Sequence, residues 1–122
     1  TGFSGGGGVV YHLIFEHPEL LAAAAPACAN FADRGYGALR GKAAAPDLAL
    51  PVFILTGGQD PPREHTHGNP AIPGIEPQTD AAMRMFEHLG YTRVERTLLP
   101  ALGHSPAVRE VLERLAPFWK GK

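Results

Sequence analysis

The sequence is short of cysteine, of net charge and of long apolar runs, and each shortage closes a class of function. Its one cysteine, Cys28, has no internal partner, so no disulfide framework holds the fold and the redox compartment stays open. Lys and Arg number 11 against 12 Asp and Glu, a formal net charge of −1. That balance removes the basic excess with which nucleic-acid binders neutralise phosphates. It equally removes a charge-driven attraction to anionic membrane surfaces. No apolar run approaches the roughly 20 residues of a spanning helix, so neither nucleic acid nor membrane is expected as a partner. No Lys-Ser or Lys-Thr follows the glycine cluster at the start of the chain, which excludes a P-loop.

Glycine and proline, by contrast, are plentiful at 15 and 12. With 44% hydrophobic and 19% charged residues the composition is globular. The 122 residues fit one domain, residues 1–122. The chain opens at Thr1 and runs directly into Gly2-Phe3-Ser4-Gly5-Gly6-Gly7-Gly8, so its true beginning is expected to lie upstream.

Val9, Val10, Leu13 and Ile14 repeat at helical spacing before Pro18. Leu20–Cys28 reads as a short buried strand, and 30–47, broken by Gly35, Gly37, Gly41 and Pro46, as loop with one helical turn. The run Leu50–Thr56 has the continuous apolar character of a strand buried on both faces. Pro61, Pro62, Pro70, Pro73 and Pro77 make 61–77 a loop. Thr79 or Asp80 is placed to cap a helix with Ala82, Met85, Phe86 and Leu89 on its buried stripe and Gly90 at its end. Val94–Leu99 reads as a strand. Ser105 as N-cap and Pro106 at the first position open a last helix, with Val108, Val111, Leu112, Leu115 and Phe118 at core spacing. Alternation of this kind predicts an α/β fold, a parallel sheet flanked by helices on both faces.

Gly2-Phe3-Ser4-Gly5-Gly6 matches the G-x-S-x-G elbow, in which a serine sits on a strained turn from strand to helix with its hydroxyl pointing out. Side chains at Gly2 and Gly6 are expected to collide with nearby backbone. The N–H of Gly5, at the positive end of the following helix, is placed to stabilise an oxyanion. A serine hydroxyl also needs a base, and the base a carboxylate to hold its tautomer. Asp60 follows one predicted strand and His104 the next, where parallel strands end and α/β sites assemble. The chain order is Ser4, Asp60, His104. Asp33 and Asp47 compete for the acid but lie in irregular stretches.

With these residues the chain resembles the C-terminal half of an α/β-hydrolase, over nearly its whole length. The resemblance rests on the elbow and its helix ending in His17-Pro18-Glu19-Leu20, on Gly57-Gly58-Gln59-Asp60, and on Gly103-His104-Ser105. It is most similar to the esterase, dienelactone-hydrolase and polyhydroxybutyrate-depolymerase-like branch. The resemblance implies Ser4 as nucleophile, His104 as base and Asp60 as acid, acting on a small-molecule ester without a cofactor. In that family the elbow follows the fifth strand of an eight-stranded sheet, so the strands before it, and the loop that supplies a second oxyanion donor, are expected to be absent here. Three strands are expected, with the one around 22–28 forming an open edge. The chain should then pair with its missing N-terminal half or with itself. Its activity should lie at least about 10²-fold below that of an intact parent.

The alternatives are a non-catalytic fragment whose role is association, and a serine peptidase of the prolyl-oligopeptidase type. Glu64, His65 and His67 invite a metal, but the segment is proline-rich loop with no third strong ligand at fixed spacing, so His65 and His67 are read as residues along the substrate's path and no metal is expected. Phe3 is read as touching the acyl group or as a buried aromatic, Cys28 as a core thiol, and His12, His17 and His88 as surface residues. Thr1 as the nucleophile of a self-cleaving hydrolase has no support elsewhere in the chain.

Overall fold

A computed structural model describes residues 1–60 and 73–119. Its elements in chain order are β1 (Gly2–Ser4), α1 (Gly5–Glu16), β2 (Pro26–Ala29), α2 (Ala45–Leu48), β3 (Val52–Gly57), α3 (Ile75–Leu89), β4 (Val94–Leu99) and α4 (Val108–Leu115). The strands form one parallel sheet in the order β1-β2-β3-β4, an α/β arrangement with helices on both faces.

The apolar run of β3 makes this layering, because successive side chains point to opposite faces. Val52 and Ile54 face a core built with Val10, Ile14 and Phe15 of α1 and Ala82 and Phe86 of α3. Leu55 faces the other way, with Ala25, Ala27 and Val111 of α4, and Phe53 packs there too. Each buried Ile, Leu or Phe contributes about 1.5–3 kcal/mol, so the α1/α3 side carries most of the stability.

Several expectations are corrected. Among the described residues the sheet has four strands, because Gly2–Ser4 itself pairs with β2. The strand at 26–29 is therefore interior, and among the described residues the edge on that side belongs to β1. The buried stripe of α1 is Gly7, Val10, Tyr11, Ile14 and Phe15, while Val9 is 62% exposed. Gly7 is a core position with no side chain to reveal it, which turns the stripe by one residue. Helix α3 begins at Ile75, ahead of Thr79 and Asp80. Pro77 sits in its first turn, where a backbone N–H has no helical partner to lose, and the Thr79 hydroxyl donates to the Ile75 carbonyl at 2.8 Å inside the helix. The stretch 30–47 holds two short helical turns, Tyr36–Leu39 and α2.

At α4 the N-cap is Ala107, not Ser105. The Ser105 hydroxyl instead accepts from the Ala107 N–H at 3.2 Å and holds the turn before the helix. Only Val111 of the expected α4 stripe is buried; Val108 and Leu112 are 59% and 52% exposed. On this face α4 is followed by a short helical turn, Ala116–Phe118, whose Phe118 ring lies 5.9 Å from that of Phe53, and the outer side of α4 meets solvent.

The Tyr91 hydroxyl donates to the Ile14 carbonyl at 2.7 Å, tying the end of α3 to α1. Burial pushes its phenol from the ordinary 10.0 up to about 12, with the Asp47 and Glu19 charges adding to the rise. The folded protein thus holds this proton more tightly than the unfolded chain does. The resulting stability is complete below about pH 10 and is lost as pH rises toward 12. Denaturation midpoints followed across that window should fall, and Tyr91→Phe should flatten the fall while lowering stability at neutral pH.

Candidate active site

Strand β1 ends at Ser4 and helix α1 begins at the next residue, so the whole reversal falls on the serine. Ser4 takes φ 55° and ψ −122°, a left-handed conformation that costs a non-glycine residue on the order of 1–3 kcal/mol. Although Ser4 is the N-cap of α1, its side chain makes no capping bond. The turn swings its hydroxyl outward. Close packing makes room for this. A Cβ on Gly2 would meet the Gly6 carbonyl and stand 2.8 Å from Val10 Cγ2, and one on Gly7 would run into Ala29. A Cβ on Gly6 meets nothing within 4 Å, so the second crowded glycine is Gly7 rather than Gly6. Gly5 is the first residue of α1, and its N–H is among the donors that a helix leaves unpaired.

Asp60 and His104 are brought together by the ends of β3 and β4. Gly58 N–H donates to the Leu99 carbonyl at 2.9 Å and Gln59 N–H to that of Leu102 at 2.8 Å. This contact depends on two glycines. A Cβ on Gly57 would strike the carbonyl oxygens of Leu102 and Gly103, and one on Gly58 would stand 2.8 Å from the Pro100 oxygen. His104 Nδ1 then lies 3.1 Å from both Asp60 carboxylate oxygens, and its Nε2 lies 3.1 Å from Ser4 Oγ. An ionised Asp60 accepts, so Nδ1 carries the proton and Nε2 is left able to accept from Ser4. The side chains of His104 and Asp60 are 21% and 10% exposed, open enough for a ligand and dry enough to strengthen charge interactions.

Two residues that the sequence reading missed join this line. Ser4 Oγ donates to Asn30 Oδ1 at 3.2 Å, so one hydroxyl proton has two acceptors. The orientation of the Asn30 amide follows from backbone polarity. Buried Gln78 accepts from the Phe31 N–H at 2.7 Å and donates to the Pro73 carbonyl at 2.6 Å. Its Oε1 therefore faces Asn30 and takes the Asn30 Nδ2–H at 3.3 Å, which turns Asn30 Oδ1 toward Ser4. Asn30 directly follows β2, the same strand-end signal that marked Asp60; nothing in the sequence marks Gln78. Replacing Gln78 by Leu leaves the buried Phe31 N–H unpaired, and should lower stability by about 1–3 kcal/mol in urea denaturation.

Cys28 also reaches the site, and by an irregularity. Phe3 pairs with Ala27 but Ser4 with Ala29, so Cys28 is the extra residue of a bulge, at φ 42°. Its Sγ lies 3.7 Å from the Gly103 carbonyl. Burial, above all, raises the thiol from its ordinary value. The Phe3 ring packs against the His104 imidazole with centroids 4.7 Å apart. Asp33 accepts from the N–H groups of Gly35 and Tyr36 and Asp47 lies in α2, while Thr1 Oγ1 donates to the Ala25 carbonyl. His12 and His88 are exposed and reach Tyr36 and Gly37, and exposed His17 reaches Glu19. His65 and His67 lie outside the described residues.

A cavity of about 950 Å³ meets the site at Gly5 and Asn30 and is lined by Tyr11, Phe31, Tyr36 and Arg34 among others. Ser4, Asp60 and His104 do not line it; it offers room beside the chemistry. Family models, curated proteins and solved structures give no match to this chain. The geometry therefore stands by itself: a strained hydroxyl, an imidazole and a carboxylate in one hydrogen-bonded line, beside unpaired N–H groups at a helix start. Such a line can move a proton off a hydroxyl, and the helix end can stabilise negative charge on an adjacent oxygen.

Proposed function

We propose that this chain is the catalytic portion of a serine esterase of the α/β-hydrolase type, cleaving small carboxylic esters through an acyl-enzyme. The observation that carries this reading is the line Ser4–His104–Asp60, with both imidazole nitrogens engaged at 3.1 Å. In the proposed cycle Ser4 Oγ attacks the ester carbonyl while His104 Nε2 takes the hydroxyl proton. Asp60 holds the imidazole by its Nδ1–H and stabilises the imidazolium. The tetrahedral oxyanion is stabilised by the Gly5 N–H and the N-terminal dipole of α1. His104 then gives its proton to the departing alcohol, and a water molecule repeats the sequence on the acyl-enzyme. Phe3 backs the imidazole from the side, and the cavity beside Gly5 gives space for an apolar acyl or alcohol group. This chemistry draws on no metal or organic cofactor.

A second reading, a piece whose role is association, is favoured by the outer edge of β1 and by the exposed apolar side chains of α4 and of Trp119. Turnover of a 4-nitrophenyl ester separates the two. The esterase reading expects hydrolysis above the buffer rate that disappears in Ser4→Ala. Hydrolysis equal in Ser4→Ala and the parent chain would leave the association reading in place.

A further inference from the structure

Cys28 has no part in that cycle, yet its sulfur stands in the same cluster. The ligand atoms of Cys28, Asp60 and His104 all lie within 4.8 Å of one another. From the combination of thiol, carboxylate and imidazole we infer a second use of this cluster, as an inhibitory site for a borderline-soft divalent cation, of which zinc is the type.

The donor set selects the ion. Sulfur and nitrogen ligands suit zinc or cobalt, whereas magnesium and calcium take oxygen. A tetrahedral ion with bonds of about 2.0–2.3 Å spaces its donors about 3.3–3.8 Å apart. Asp60 and His104, 3.1 Å apart, must open by about 0.2 Å, and Cys28 must close about 1 Å. Thiolate and carboxylate together cancel the charge of the ion, so the complex is neutral, as a nearly buried site requires. Cys28 itself is fully buried. On the Asp60 side lies a cavity of about 80 Å³ lined by Gly57, Gly58, Asp60 and Glu76 among others, large enough for a water molecule.

Binding would stop the triad by a change of tautomer. The ion takes the lone pair of His104 Nδ1, so the ring proton must sit on Nε2. The nitrogen facing Ser4 then donates and no longer accepts, and the serine proton has no base to go to. The proton balance is simple: the Nδ1 proton is replaced by one on Nε2, and the Cys28 thiol proton leaves to solvent.

The inhibition rests on the esterase reading; the binding does not. The binding test is therefore made on Ser4→Ala protein titrated with cobalt(II), whose thiolate complexes absorb in the near ultraviolet. Growth of that band, and its loss in the Ser4→Ala/Cys28→Ala and Ser4→Ala/Cys28→Ser doubles, is the expected result. Two replacements guard against one that merely fails to fold, and circular dichroism confirms which remain folded. No band, or a band unchanged in a folded double variant, overturns the site whatever the chain hydrolyses. In the active chain, zinc should inhibit ester turnover and a chelator should restore it, while magnesium at the same concentration should not inhibit. Cys28→Ala should raise the half-inhibitory zinc concentration at least about tenfold, since loss of even an outer-shell partner weakens metal binding 10–100-fold. Equal zinc sensitivity with and without Cys28 would show that inhibition arises elsewhere.

Discussion

Asp60→Asn should leave the fold intact and lower ester hydrolysis by about 10⁴-fold, or to the Ser4→Ala background if that is reached first. The reason is geometric. Both Asp60 oxygens stand 3.1 Å from His104 Nδ1, and an amide presents one oxygen and one N–H in their place. With its N–H toward Nδ1, the amide stabilises the wrong tautomer, and Nε2 carries the proton that should come from Ser4. Thermal melts of the two proteins should nearly coincide, because the amide has the size and shape of the carboxylate it replaces. Rates that fall only a few-fold would mean that another acid supports His104.

The second large effect concerns a residue with no functional group. Gly57→Ala places a methyl against the Leu102 and Gly103 carbonyls. These are rigid backbone atoms, so the loop carrying His104 must move away from the loop carrying Asp60. Overpacking of this kind typically costs about 1–3 kcal/mol of stability. A displacement of about 1 Å from the reacting geometry costs on the order of 10²-fold in rate. The control is Gly6→Ala, where a Cβ meets nothing within 4 Å. It should hold or raise stability, by up to about 1 kcal/mol, since alanine is the better helix former. Denaturation of the three proteins side by side checks the two stabilities, and 4-nitrophenyl ester turnover of Gly57→Ala checks the rate.

Strand β3 was legible because burial on both faces leaves an unbroken apolar run, and β4 and α3 because their patterns are bounded by turn residues. Strand β1 was not, since three residues containing a glycine carry no periodicity, and its pairing with β2 is a long-range fact. The start of α3 was hidden by Pro77, a residue that breaks helices everywhere except in the first turn. In α4 the apolar spacing was present in the sequence, but a pattern cannot say whether a second layer covers it.

The same division runs through the site. Ser4, Asp60 and His104 could be picked out because each stands at the end of a strand or predicted strand, and parallel strands carry their C-terminal ends to one edge. Asn30 carries the same strand-end signal at β2, but nothing in the sequence assigns Gln78 or Cys28 to the site. Asn30 meets Gln78 across 48 residues of chain, and Cys28 arrives through a one-residue bulge that no local preference announces.

The proposed cycle depends on Ser4 as a nucleophile activated by His104. Its most direct test is reaction of the folded chain with a fluorophosphonate, followed by peptide mapping of the adduct. The expected product carries one phosphonyl group per chain, on Ser4, with strongly slowed labelling when His104 is replaced by Ala. Labelling of another residue, or none in protein shown by circular dichroism to be folded, would contradict it.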